Sequence, residues 1–349
     1  MDWYSSRTTV LKYMAVDPVT FDDIYELDMI LDGGKQDRNA LSTLKVSGSL
    51  PFISDTELGN NLLRVYSVNE QNGEKVTVAH ATLQLSQFET KLQGLIHKGN
   101  ASLYSLLLRL EEMGFAEPYP VIAGASPVEE AVKLVQSAGL RVLTESSESI
   151  MERDNIFKAG STYLEAVNWL LEYAGFLSAD VDGYGNVRFK RYVDPAALSP
   201  VLILSDKTPN CTFKPGAIYE FDTANVPNQI IGIVSDPDIE MSAIAINDDP
   251  ANQYSTVSKG RIISRTIEFS DIEDQDALQR KTDQALESAT TAVESDTVEH
   301  VFEPFEMNDG ALFEYTESGH VLSGVVASSS MVYRPSLICA TRIRRFVRS

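Results

Sequence analysis

Cysteine is almost absent: Cys211 and Cys339 are the only two in 349 residues, too few for a disulfide framework or a thiolate metal site. No apolar run approaches the roughly 18 residues that would cross a bilayer as a helix. The first residues, Met1-Asp2-Trp3-Tyr4-Ser5-Ser6, lack the basic and apolar regions of a secretory signal. A soluble chain made in the cytoplasm and without a secretory route of its own is expected, so Asn100-Ala101-Ser102 and Asn210-Cys211-Thr212 are not read as glycosylation sites. Basic charge is scarce as well: 29 Lys plus Arg against 50 Asp plus Glu leave −21 at pH 7. Such an excess repels phosphate, which argues against an electrostatic nucleic-acid binder and against docking on an anionic membrane.

Catalytic signatures are missing too. The four histidines, His80, His97, His300 and His320, show no metal-ligand spacing, and His80 sits in an alternating strand pattern that suits a structural role. There is no phosphate-cradling glycine loop, no nucleophile elbow and no zinc-hydrolase helix. Glu111-Glu112 and Glu129-Glu130 are adjacent on helical patterns and cannot face each other as an acid and base pair. Asp180-Val181-Asp182-Gly183 resembles a calcium-loop fragment, but Tyr184 and Arg191 stand where that loop needs oxygen ligands. A turn is expected there, and a loop at Asn247-Asp248-Asp249-Pro250. Trp169 lies inside a helical pattern and is expected in the core. No catalytic residue, cofactor-binding residue, cofactor or metal ligand is therefore predicted, and the chain is read as a non-enzyme.

What is present is enough apolar content, 43%, for a large folded core in two or three domains. Period-2 alternation rich in β-branched residues marks strands at Thr43 to Ser47, Leu63 to Val68 and Val76 to Leu85, with breaks at Gly33-Gly34 and at Asn72-Gly73, a two-residue hairpin signal. The period then changes. Leu103, Leu106, Leu107, Leu110 and Met113 form a helical stripe over Ser102 to Met113, closed by Gly114. Ser126-Pro127-Val128-Glu129 reads as a capping box with proline at the first helical position; that helix stops at Gly139, before a strand from Leu140 to Thr144. Thr162 and Glu165 cap a third helix that ends at Gly175, and Asp182-Gly183-Tyr184-Gly185 turns a hairpin between Leu177 to Val181 and Val187 to Tyr192. Strand patterns return at Gln229 to Val234, Arg261 to Ile267 and, as short strands, Gly310 to Phe346, interrupted by a helix over 276–293. The expected class is mainly β with α+β: a β domain over 1–95, an α/β middle domain over 96–195 and a second β domain over 196–349.

Charge is clustered. Between Glu268 and Glu317 fifteen acids face only Arg280 and Lys281, a net −13, whereas the last eight residues hold Arg342, Arg344, Arg345 and Arg348 and no acid. The readings are a solvated acidic face beside a basic edge strand, or, more sharply, complementary contact between neighbouring copies or an acidic surface that lines something.

Three segments in series resemble a known family. Phe157-Lys158-Ala159-Gly160-Ser161-Thr162 leading into the helix through Trp169 to Phe176, then Asp182-Gly183-Tyr184-Gly185-Asn186-Val187-Arg188-Phe189, is similar to the middle domain of tail-hub proteins of long-tailed bacteriophages. Asn225-Val226-Pro227 with the strand to Val234, and Asn247 to Pro250 with Ser255-Thr256 and Gly260-Arg261, resemble the next strand and loop of those proteins. Leu278 to Ala289, followed by Val298 to Phe302 and Pro304, resembles the helix leading into their second barrel. The resemblance spans residues 100 to 349.

It implies the hub fold shared with contractile-tail baseplate hubs and type VI secretion spike proteins: two tail-tube-like β-barrels joined by an α/β part. It also implies a homotrimer that adapts a sixfold tail tube to a threefold tip at the distal end of the virion tail. Expected partners are other copies of the chain, the tail tube and distal tail protein, a central fibre or spike, and a tape-measure protein in the channel. DNA would pass that channel during ejection without specific binding. Relatives often carry carboxy-terminal enzymatic or receptor-binding extensions, and this sequence ends at Ser349; such activities are expected on separate docked proteins. The residues leave two alternatives, a tail-tip peptidoglycan hydrolase or a receptor- or carbohydrate-binding β module.

Overall fold

The computed structural model describes all residues except 28–32, 54–57, 94–95, 208–210, 223–225, 235–240, 270–274, 290–291 and 348–349. The N-terminal part supplies β1 (Thr8–Val16), β2 (Asp23–Glu26), β3 (Gly34–Asn39), β4 (Val46–Ile53), β5 (Leu62–Gln71), β6 (Glu74–Gln93) and β7 (Ile96–Ser105). All pair antiparallel. Asn72 (φ 52°) and Gly73 (φ 84°) form the two-residue turn between β5 and β6 that their dipeptide signals. The expected strand at Thr43 to Ser47 begins only at Val46, because Lys45 is left-handed (φ 59°) and folds its ammonium back to the Ala40 carbonyl.

The expected helix over Ser102 to Met113 is also corrected. Residues up to Ser105 belong to β7, held between β4 and β6 with Ala101 and Leu103 buried, and only α1 (Leu107–Glu112) is helical. The leucine spacing fits either period locally, and strand pairing decides. Met113 is extended, and Gly114 bridges to Thr162 instead of ending the helix in a left-handed conformation.

The middle part contains β8 (Tyr119–Val121), α2 (Pro127–Ser137), β9 (Val142–Thr144), β10 (Asn155–Phe157), α3 (Tyr163–Tyr173), β11 (Asp180–Val181) and β12 (Val187–Phe189). Thr162 and Glu165 make the full reciprocal capping box of α3, whereas Ser126 caps α2 from its side only, accepting from the Glu129 N–H. Gly139 (φ 72°) and Gly175 (φ 75°) end the two helices as expected.

The C-terminal part holds β13 (Pro200–Ser205), β14 (Ile218–Asp222), β15 (Gln229–Val234), β16 (Ser242–Ile246), α4 (Thr256–Lys259), β17 (Ser264–Phe269), α5 (Gln275–Ala289), β18 (Ala292–Val301), β19 (Gly310–Tyr315), β20 (His320–Tyr333) and β21 (Ile338–Val347). The helix expected over 276–293 stops at Ala289, since β18 starts at Ala292 to pair with β21. Between β14 and β18 the chain makes a three-stranded sheet, β16-β15-β17, with α5 packed on it through Ala243 and Leu278.

One sheet of 13 strands runs through both ends of the chain, in the order β14-β18-β21-β20-β3-β4-β7-β6-β5-β1-β2, with β19 joining β20 and β13 joining β19. The fold is thus mainly β with an α/β middle part, as expected. The pairing is an open path and closes into no ring of hydrogen bonds among the described residues. Its seam is β3 on β20, Gly34 opposite Tyr333 and Asn39 opposite Ser328. One core unites β4 to β7, the three middle helices and residues Phe302, Met331, Tyr333 and Cys339. A second lies under β13, β18, β19 and β21, around Leu202, Leu204, Val298, Phe313 and Ile343. Each fully buried leucine in them contributes about 1.5–3 kcal/mol.

Candidate functional site

The three parts of the chain converge on one hairpin. Asp182 turns it: its carboxylate accepts from the N–H groups of Tyr184 and Asn186 at 2.9 Å and from the Asn186 amide at 2.8 Å. The run makes the expected turn. Gly183 lies against β6 so closely that a Cβ would sit 1.9 Å from the Ala79 carbonyl oxygen.

Four polar side chains of the N-terminal part bind the backbone or side chains of the hairpin region. Thr82 donates to the Gly183 carbonyl (2.9 Å), Arg64 to that of Tyr184 (3.1 Å) and Arg38 to that of Val181 (3.0 Å); Lys45 donates to the Ser178 hydroxyl (2.7 Å). Burial lowers the Lys45 pKa. Arg64 also holds Asp23 (2.8 Å) and the Phe21 carbonyl. From the other side Glu306 of the C-terminal part binds both Arg188 and Lys190. A cavity of about 300 Å³ remains at this junction, bordered by Arg38, His80, Asp182, Phe302 and Glu306.

The amino-terminal segment packs on the residues that follow β18. Trp3 packs edge-on against Phe302 (5.9 Å), and Arg7 donates to the carbonyls of Trp3 (2.8 Å) and Phe302. Tyr4 lies near Glu303, whose carboxyl is buried and whose Oε1 has no hydrogen-bond partner among the described residues. Burial pushes Glu303 up to about 7, against the opposing pull of Tyr4 and Arg7. Burial likewise pushes His80 down to about 3 and His300 down to about 4, and the Cys339 thiol up to about 12. His80 pairs with the Ser67 hydroxyl (2.7 Å) and His300 with that of Thr341 (2.8 Å). These are neutral, satisfied core groups, and His80 has the structural role its strand pattern suggests.

The other residues singled out in sequence fall apart spatially or into structural pairs. Glu111 reaches the Thr162 hydroxyl, and Glu130 accepts from Tyr119 (2.8 Å) and Lys133 (2.6 Å). Asn247 to Pro250 is a loop in which Asp249 accepts from the Ala251 N–H. Among the described residues no group of three or more His, Cys, Asp or Glu side chains is placed to hold a metal, and no helix is long and apolar enough to cross a membrane. Trp169 corrects the expectation of a core residue: it is 36% exposed, since the buried face of α3 is Leu164, Ala166, Val167, Leu170 and Leu171. The side chain of His97 and all of Arg348 lie outside the described residues.

The basic tail is not an edge strand. β21 lies between β18 and β20, so Arg345 stands opposite Glu294 and bonds it, and Arg342 bonds Glu220 (2.9 Å) and Ser295 (3.0 Å). Elsewhere in the acidic segment, Asp296 pairs with His320, Glu299 with Lys214 and Glu314 with Lys207. Sequence reading missed the buried cations Arg64 and Lys45 and the partly buried Arg38. Arg64 carried a signal, because it interrupts an apolar strand, Leu62-Leu63-Arg64-Val65, that is buried on both faces.

The fold is that of phage tail proteins. In particular, the chain is similar to the tail protein from Neisseria meningitidis MC58 (TM-score 0.67, 13% identity, covering 97% of this chain and 96% of that one). It is also similar to the 43 kDa tail protein of prophage MuSo2 from Shewanella oneidensis (TM-score 0.64, 13% identity, 97% and 98%). A chain of the Francisella PdpA-VgrG complex matches with TM-score 0.57 and 11% identity over 97% of this chain and 53% of that one. No family model and no curated protein matches the sequence. The hub resemblance read from three sequence segments thus agrees with the fold of the whole chain.

Proposed function

We propose that this chain is a virion structural protein without catalytic activity, a homotrimeric hub at the distal end of a phage tail tube. The shared fold supports the class. The observation that carries the assembly is the open 13-stranded sheet, whose terminal strands β14 and β2 have no partner on their outer sides among the described residues. Each of these two strands exposes apolar side chains between acidic ones, Ile218 and Tyr219 (59% and 52%) on β14 and Ile24 and Tyr25 (50% and 43%) on β2, and β13 is a third terminal strand on the side branch. Exposed apolar strand edges favour pairing with another chain, and joining unlike ends is a head-to-tail contact that closes into a ring when the rotation permits. The ring would meet the tail tube and distal tail protein above and a fibre or spike below, with the tape-measure protein and then DNA in its channel. The acidic balance suits such a wall, because it offers DNA no counterion-release affinity.

Mass measurement and electron microscopy of the purified chain, with zymography on cell-wall material, test this reading. A threefold ring without lytic activity is expected; a chain that stays monomeric at high concentration and clears peptidoglycan would end the hub reading. In the ring, a neutral or basic channel wall would remove the DNA-passage argument.

A further inference from the structure

Trp169 and Tyr173 lie one turn apart on α3 and point away from its buried face. Their rings stack at 5.5 Å with a 24° tilt, and Phe157 meets Trp169 edge-on at 5.6 Å. The Glu152 N–H donates to the Tyr173 hydroxyl (2.9 Å), which helps hold the pair in place. Both rings nevertheless remain more than one-third exposed. They line a groove of about 510 Å³ between the middle part and α5, within the roughly 300–1,000 Å³ of small-molecule sites. Around the rings the groove is polar. Asn155, Glu172 and Lys281 border it, and their side chains make no hydrogen bond or ion pair with another described residue.

We infer that this groove is a saccharide-binding site that takes a short neutral glycan. A pyranose ring presents an apolar C–H face and a rim of hydroxyls that donate and accept. The fixed aromatic pair matches the face, and an amide, a carboxylate and an ammonium match the rim. An apolar peptide fits less well, because it would desolvate Glu172 and Lys281 without hydrogen bonds. A nucleotide would stack too, but it brings phosphate to a strongly acidic chain. The site is independent of the hub reading and would add recognition of a surface glycan to a structural part.

The test is titration of the full chain with chitotriose, maltotriose and cellotriose by calorimetry. Trp169 emission is followed in parallel in a Trp3→Phe background, which leaves a single indole because the chain has two tryptophans. Saturable binding of at least one sugar with a change in Trp169 emission is expected. Trp169→Ala and Tyr173→Ala should each weaken it about tenfold or more, with unfolding temperature little changed. Lys281→Ala, on a different element, should weaken it without touching the aromatic pair. Binding of none of the three sugars, or binding unchanged in Trp169→Ala, overturns the proposal. So does a Trp169 emission that shifts with protein concentration alone and is insensitive to sugar, which would mean that a second copy covers the groove.

Discussion

Glu303 shows how a single buried group ties stability to pH. Its folded pKa, raised to about 7 from 4.5, means that the protonated form suits the core. Its contribution is fully present below about 4.5 and is lost as pH rises through about 7, roughly 3 kcal/mol in all. His80 and His300 act with the opposite sign: their depressed pKa values add stability above about 6.5 that is lost as pH falls toward about 3 for His80 and about 4 for His300. The two effects overlap in the wild-type chain. Glu303→Gln should remove the carboxyl term alone, so that denaturant unfolding at pH 8 shows a more stable protein while stability at pH 4 is nearly unchanged; equal shifts at both pH values would refute the assignment. Gly183 makes a steric counterpart. Its contact with the Ala79 carbonyl should make Gly183→Ala cost about 3 kcal/mol, more than Gly124→Ala, where φ is +85° but the space is open and only the backbone penalty of about 1–2 kcal/mol applies. Equal melting temperatures for the two variants would mean that the hairpin does not seat where described.

Among the elements, the β11 to β12 hairpin links all three parts of the chain. Its turn was legible because Asp182, Gly183 and Gly185 are turn residues by local chemistry. Its partners were not, because Thr82, Arg64 and Arg38 lie 101, 120 and 143 residues before the hairpin positions they bind, and Glu306 lies far beyond it. Glu306→Ala is expected to cost about 1 kcal/mol, since its pairs with Arg188 and Lys190 are only half-buried. A double-mutant cycle with Arg188→Ala checks this, and a coupling of zero would show that the contact holds nothing together. Likewise the leucine spacing from Leu103 to Leu110 serves a strand and then a helix, and pairing with β4 and β6, invisible in local periodicity, moves the boundary to Ser105. Arg345 of β21 illustrates the same limit, for its counter-charge Glu294 stands opposite it only once β18 and β21 are in register.

At the scale of the whole molecule the seam of β3 on β20 makes the two ends of the chain one sheet, so unfolding of the N-terminal and C-terminal parts should be coupled. A single cooperative transition by both fluorescence and circular dichroism is expected; two separated transitions would contradict a shared core. The free edges carry the assembly prediction. Ile24→Lys or Tyr219→Lys should leave the isolated chain's stability within about 0.5 kcal/mol, because both side chains are exposed, yet abolish ring formation in mass measurements. Rings that persist in both variants would place the contact elsewhere.

By itself the sequence determined what depends on neighbours a few residues away: the Asn72-Gly73 turn, the capped helices after Ser126 and Thr162, the Asp182 hairpin, and the lack of any catalytic or metal spacing. Even the family resemblance rests on such local segments. The tertiary structure alone decided what depends on distant pairing: that the two β parts share one open sheet, that Arg342 and Arg345 of the basic tail pair with acids of their own chain, that α5 stops short, and that Trp169 faces solvent. The physical reason is range. Turn and cap energies act over one to four residues and are written in local order, whereas strand pairing and charge compensation join positions up to three hundred residues apart, and only the folded chain brings them together.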